Sequence, residues 1–197
     1  ILKKELERLE KKNKSKDFGS IFFSSVTDCY SPPEAKYQIT RKCLEVLADF
    51  GYKGEIGILT KSPLVVRDID IVKRLNVEVG LTVTTLDDKV VKFLEGYAPP
   101  ASVRIEALKK LHASGISVYA FVGPVLPYFI AEKDKFQQLF KSLKVAGVRE
   151  VYVENINLSP RIKERLFRYL NKNNSKLIPY FEKTETKEYR GNLENII

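Results

Sequence analysis

The feature that most limits what this chain can fold into is a rhythm. Apolar, β-prone runs at 20–26, 55–59, 77–83, 117–122 and 150–153 alternate with amphipathic helical patterns at 34–50, 66–75, 87–94 with 103–114, 132–146 and 160–171. Strand-like runs separated by helix-length segments pair as parallel neighbours joined by right-handed crossovers. The runs are apolar almost throughout rather than alternating, which predicts a sheet covered on both faces. Gly51, Gly115 and Gly147 each close a helical pattern just before a strand, where a left-handed C-terminal cap is expected.

A doubly wound sheet and a (βα) barrel both satisfy this pattern. The first gathers its functional groups at one switch point, whereas a barrel uses the C-terminal end of every strand. Here each run ends in polar residues or unusual backbone. The first is followed by Ser24, Ser25, Thr27 and Asp28, the second by Thr60, Lys61 and Ser62, and the third by Thr82, Thr84 and Thr85. Gly123 and Pro124 follow the fourth, and Glu154, Asn155 and Asn157 the fifth. The fold class is therefore read as α/β, a barrel or partial barrel of parallel strands. Residues 1–175 form its core and 176–197 a C-terminal extension. That extension opens with one short apolar run, "KLIPYF", and is otherwise assigned no element.

Several function classes are excluded or weakened by what the chain lacks. No Gly-rich dinucleotide loop and no P-loop follows a strand. The one histidine, His112, ends a helical pattern on the side away from the strand ends, a position the helix dipole favours. Triads built on histidine and His-ligated zinc are therefore not expected. Cys29 and Cys43 do not form the close pair that a metal site uses, and Cys43 lies on the apolar face of "RKCLEVLADF", as a core residue would. The 34 basic and 25 acidic residues leave a net charge of +9, compatible with a nucleic-acid partner or an anionic ligand. The basic residues are nevertheless mixed with glutamates along every helix, as on a solvated surface. No run is long and apolar enough to cross a bilayer, so a cytoplasmic protein without a membrane partner is expected.

Four stretches, in order, carry a resemblance: "TDCYSPPEAKYQITRKCLEVL", "ILTKSPLVVRDIDIVKRL", "VGLTVTTLDDKVVKFLEGYAPPASVRIEALKKLHASGI" and "VGPVLPY". Over 21–157 the chain resembles the radical S-adenosylmethionine (SAM) proteins related to spore photoproduct lyase. The resemblance implies a partial (βα)6 TIM-like barrel. It also implies a [4Fe–4S] cluster, held by a C-x3-C-x2-C loop after the first strand, and SAM chelated to it. An electron from a donor protein would split SAM into methionine and a 5′-deoxyadenosyl radical, which abstracts hydrogen from a substrate. This chain contains no C-x3-C-x2-C. The first strand and the cluster cysteines are expected upstream of Ile1, and the chain alone is expected to be inactive. Cys29 stands where such proteins usually carry proline.

The resemblance also implies roles for individual residues. Ser25, Thr27 and Asp28 fall near the SAM amino group, and Lys61 near its carboxylate. Thr82 and Thr84 alternate along a strand and face the ribose or carboxylate. Arg104 either reaches the carboxylate or pairs with Glu106 or Asp68, while Arg67 and Asp68 read as a structural ion pair. Gly123 and Pro124 would let the backbone approach the adenine. Glu154, Asn155 and Asn157 are candidates for substrate contact. Two other readings stay open: a cluster-less barrel that binds a nucleotide or nucleic acid, and an acid–base enzyme using Asp28, Glu34 and Lys61.

Overall fold

The computed structural model describes residues 1–24 and 26–196. Its five strands are β1 (Ile21–Phe23), β2 (Ile56–Thr60), β3 (Val77–Thr82), β4 (Ser117–Val125) and β5 (Glu150–Asn155). They form one sheet in the order β1-β2-β3-β4-β5, every neighbouring pair parallel. The order never reverses, so the sheet has no switch point. That removes the doubly wound alternative and leaves an α/β partial barrel.

Helix α1 (Leu2–Asn13), which precedes β1, and the crossover helices α3 (Ile39–Phe50), α4 (Ile69–Val72), α6 (Ala101–Ala113) and α7 (Lys133–Val145) pack in sequence against their neighbours on one side of the sheet. Strand pleating then divides the residues. Ile56, Ile58, Val79, Leu81, Val118, Ala120 and Val122 are buried beneath the helices as the main core. In register on the opposite face lie Phe22 beside Gly57, Gly80 beside Tyr119, and Phe121 beside Tyr152. That face is not closed as the apolar runs predicted, since Phe22 and Tyr152 are each 51% exposed. An aromatic ring reads as apolar in sequence whether or not anything covers it.

Two helical expectations change for identifiable reasons. The pattern at 34–50 is two helices, α2 (Glu34–Tyr37) and α3, broken where Gln38 takes a left-handed φ of 53°. The Glu34 carboxylate causes the restart: it accepts the backbone N–H of Thr40 at 3.0 Å and of Arg41 at 3.2 Å. Those are orphan donors of α3's first turn, where a negative charge also meets the helix dipole. The pattern at 66–75 begins earlier, as a 3-10 turn over Pro63–Asp68 that runs into α4. Pro63 suits its first position, and the Ser62 hydroxyl accepts the N–H of Leu64. The left-handed glycine caps do form, with φ of 75° at Gly51, 81° at Gly115 and 89° at Gly147.

The extension, assigned no element from sequence, is helical. After α5 (Asp88–Glu95) and α8 (Pro160–Asn173) the chain forms a 3-10 turn (Ser175–Leu177), α9 (Ile178–Lys183) and α10 (Lys187–Ile196). Tyr189, Leu193 and Ile196 of α10, at i, i+4 and i+7, pack on the main core. Leu177 and Phe181 join Leu158 and Leu170 in a second cluster, which also takes Phe93 from α5 and Phe129 from the segment after β4. Six and ten residues in a polar stretch are too few for the period to stand out.

Gly80 tests the tightness of the open face. Tyr119 lies directly over it and donates its hydroxyl to the Ile58 carbonyl at 3.2 Å. A Cβ on residue 80 would fall 2.1 Å from the tyrosine ring. Gly80→Ala is expected to destabilise the protein by about 1–3 kcal/mol through overpacking. Urea denaturation with an unchanged midpoint would contradict this packing.

Candidate functional site

The polar strand ends meet around a residue that sequence reasoning missed, Glu95, the last residue of α5. Its Oε1 accepts the Thr84 hydroxyl at 2.7 Å. Its Oε2 accepts Arg104 Nη2 at 2.6 Å and the Lys61 ammonium at 3.2 Å. Arg104 has no exposed surface, and its other donors are fixed by backbone: Nε to the Pro99 carbonyl at 2.8 Å, Nη1 to that of Thr82 at 3.0 Å. The Glu95 side chain is only 11% exposed, whereas Lys61 is 37% exposed. One buried guanidinium thus ties the end of β3 to the close of α5, and Glu95 in turn takes up Lys61 from the residue after β2. Burial would raise the Glu95 carboxyl, but Arg104, Lys61 and Thr84 outweigh it and hold the group below its ordinary value.

Asp28 clasps the loop after β1 to the same rim. Its Oδ1 accepts the Thr60 hydroxyl at 2.6 Å and the Tyr30 N–H at 2.8 Å, and its Oδ2 accepts the Lys61 N–H at 2.8 Å. Both carboxylate oxygens are therefore engaged by the protein. Thr60 in turn accepts the N–H of Ser62 at 2.9 Å, so the backbone on each side of Lys61 is held.

Behind this loop lies an ionic network larger than the expected Arg67–Asp68 pair. Arg67 bonds both oxygens of Asp68, at 2.7 and 2.8 Å, and reaches Glu34 Oε1 at 2.9 Å. Arg41 bonds Asp68 at 3.0 Å and grips Asp70 with two bonds. The Tyr30 hydroxyl donates to Asp68 at 3.1 Å, and burial, with Asp68 next, pushes its pKa up. Asp68 is completely buried. Burial would raise it and Glu34, yet hydrogen bonds from the arginines and backbone prevail and hold both below their ordinary values.

The remaining candidates are placed as follows. Ser25 lies outside the described residues, and Thr27 is exposed in the loop after β1. Thr82 and Thr84 are both buried, Thr82 in register with Phe121 on the open face. Arg104 takes neither expected partner: Asp68 is filled by Arg67, Arg41 and Tyr30, and Glu106 faces Lys109. At Gly123 an added Cβ would meet the Phe121 ring at 2.3 Å and Glu154 Cβ at 3.1 Å, so the glycine is required by the sheet's own packing. The Gly123–Pro124 peptide is cis, within a register shift between β4 and β5. Glu154, Asn155 and Asn157 line a cavity of about 610 Å³ with Arg190, Leu193 and Glu194 of α10. The extension thus contributes a wall at the end of β5. His112 packs beside Gly147, away from the strand ends.

These residues fit one cofactor and not another. SAM ends in an amino acid, and its carboxylate matches an exposed, held ammonium among hydroxyls. An iron–sulfur cluster needs thiolates. Cys29 is half-buried with its thiol pushed up to about 11, chiefly by burial, and Cys43 sits on α3 with its pKa raised likewise. Among the described residues, no three His, Cys, Asp or Glu side chains are grouped to hold a metal ion. Residues 1–197 do not fit a [4Fe–4S] cluster.

Comparison with known proteins agrees with this geometry. Residues 2–153 match the family described as "Radical SAM superfamily". "Uncharacterized protein MJ0683" of Methanocaldococcus jannaschii is 38% identical over 141 residues, covering 67% of this chain and 53% of that protein. "Uncharacterized protein ORF301" of Acidianus two-tailed virus is 32% identical over 142 residues, covering 70% and 46%. The chain thus spans about half the length of these curated relatives. Among solved structures, a spore photoproduct lyase variant covers 100% of this chain and 63% of its own, at 16% identity and a TM-score of 0.69. Another, with bound AdoMet and dinucleoside spore photoproduct, covers 87% and 51% at 15% identity, with a TM-score of 0.65. SuiB of Streptococcus suis, bound to S-adenosylmethionine, gives 86% and 40% at 15% identity, with a TM-score of 0.54. At such identities the structures speak for the fold.

Two outcomes follow from the buried charges. Arg104→Met leaves Glu95 without its main counter-ion and should destabilise the protein by about 3–5 kcal/mol in chemical denaturation. Glu34, Asp68 and Glu95 bind protons less readily folded than unfolded, so their contribution is complete above ordinary carboxylate values, 4.5 for Glu and 3.8 for Asp. It is lost as pH falls through their lowered folded values. The thermal midpoint should therefore drop as pH is taken below those values. A midpoint flat throughout that acid range would contradict the assignment.

Proposed function

The chain belongs to the radical SAM superfamily, and from that membership we propose that it forms the SAM-holding wall of a radical enzyme. Supporting this reading above all is the convergence of Asp28, Lys61, Thr82 and Thr84, from three successive strand ends, around the Glu95–Arg104 pair. In a parallel α/β fold those ends are where ligands bind. Lys61 receives the SAM carboxylate, and its charge remains unspent because Arg104 already balances Glu95. Thr82 and Thr27 are nearby hydroxyl candidates for the ribose and amino group. Asp28 and Arg104 serve the site by holding its walls, since their polar atoms are engaged by the protein. Gly123 and Pro124 border the adenine end, and the Glu154–Asn155–Asn157 cavity is the substrate side.

For the whole protein the proposed reaction is hydrogen abstraction by a 5′-deoxyadenosyl radical generated from SAM. The cluster and the electron-donor protein which that reaction requires lie outside the residues described here, so this chain's part is to bind and orient SAM and to exclude water. A nucleic-acid partner is compatible with the net charge of +9. Arg161, Arg165, Arg168 and Lys172 are all exposed along α8. Binding of a polyanion there should weaken steeply as salt rises, which filter binding at two ionic strengths would show. No described helix is long and apolar enough to cross a membrane.

The carboxylate clamp has a direct test. In the full-length protein, Lys61→Ala should weaken SAM binding by about 1.5–3 kcal/mol, as for loss of a hydrogen bond to a charged group. Calorimetric titration giving wild-type affinity for this variant would remove Lys61 from the site.

A further inference from the structure

Arg104 alone would satisfy Glu95 as a counter-ion, yet the same carboxylate oxygen also holds Lys61. The two contacts differ in kind. Arg104 is fully buried and bonded to the backbone carbonyls of Thr82 and Pro99. Lys61 is partly exposed and reaches Glu95 from the rim at 3.2 Å. A lysine side chain at a surface ordinarily points its ammonium into water, and an exposed ion pair seldom holds it elsewhere. Here the partner is different, because Glu95 is itself immobilised by Arg104 and by the Thr84 hydroxyl. The Lys61 backbone is also fixed, by Asp28 at its own N–H and by Thr60 at the next. Both ends of the side chain are therefore held before any ligand arrives.

We infer that Glu95 is a positioning residue of the SAM site: it holds the Lys61 ammonium in the pose that meets the ligand carboxylate. This rests on the reading of Lys61 given above and extends it to a residue on a different element. The charges permit it. Arg104, Glu95 and Lys61 sum to one positive charge, so the pair with Glu95 orients the ammonium without removing its attraction for an anion. An ammonium has three donors, and Glu95 occupies one of them. Rotamer freedom that a loose lysine would lose on binding has here been lost on folding, which favours the bound state.

A purely structural role, with Glu95 serving only Arg104, makes a different forecast, and a double-mutant cycle separates the two. Glu95→Asp keeps the charge but withdraws the carboxylate by one methylene from Arg104 and Lys61 alike, so its effect through Lys61 is read as the difference between the two Lys61 backgrounds. SAM itself is the probe, titrated against the full-length protein with its thermal midpoint recorded for each variant. Glu95→Asp should weaken SAM binding about five- to tenfold when Lys61 is present and less than about twofold in a Lys61→Met background. Equal losses in both backgrounds would assign Glu95 to Arg104 alone and overturn the inference. If Lys61→Met weakens binding and Glu95→Asp does not, the inference falls while the clamp survives. If Lys61→Met itself has no effect, both fall. Should Glu95→Asp fail to fold, the ammonium signal of Lys61 in the wild-type protein decides by NMR. Order and slow hydrogen exchange beyond those of exposed Lys89 support the inference, and equal mobility overturns it.

Discussion

A guanidinium with no exposed surface cannot stay in a protein uncompensated, and the candidate site is organised by how Arg104 meets that demand. Its donors go to the carbonyls of Thr82 and Pro99 and to Glu95. Those bonds set the end of β3, the turn between α5 and α6, and the last residue of α5 relative to one another. Glu95 then has a fixed place, and Thr84 and Lys61 are arranged on it. A cavity rim that could have been a set of independent loops is thereby one connected unit. The rigidity matters because recognition of a charged ligand depends on donors already in place, not on donors that must be collected from water.

The other half of the rim follows the same logic. The stretch "SSVTDCYSPPE", a polar exit from an apolar strand, looks in sequence like a set of groups waiting for a ligand. Its acid instead binds the Thr60 hydroxyl and the N–H groups of Tyr30 and Lys61. Glu34, a little further on, restarts a helix and anchors Arg67. The loop is thus pinned to β2 in front and to the Arg67–Asp68–Arg41 network behind. What it presents to a ligand is chiefly position, in that Asp28 fixes the residue whose ammonium faces the mouth.

How much of this was legible in the sequence follows from the range of each interaction. Strand and helix periodicity is local, and it placed all five strands and the crossover helices. Polar residues at every strand end pointed to a barrel rather than a single switch point. The Arg67–Asp68 pair, adjacent in sequence, was legible too. Glu95 was not. Its partners lie 9, 11 and 34 positions away, and an acid at a helix end before glycine looks like any solvated cap. Asp28 was noticed for the right reason, an unusual polar strand end, but its partners 32 and 33 residues on could not be read from a linear string. Arg104 was singled out by resemblance, and only the fold shows that its counter-ion is Glu95. The helices of the extension were missed because the i, i+4, i+7 spacing of Tyr189, Leu193 and Ile196 is brief and set among charged residues.

The central claim is that the C-terminal strand ends form one SAM-binding rim with Lys61 as its anion contact. A crystal structure of the full-length protein with SAM tests it most directly. The account predicts the methionyl carboxylate within about 3 Å of Lys61 Nζ, with Arg104 still bonded to Glu95. SAM seated at the opposite end of the strands, or against the helices with Lys61 turned to solvent, would contradict it.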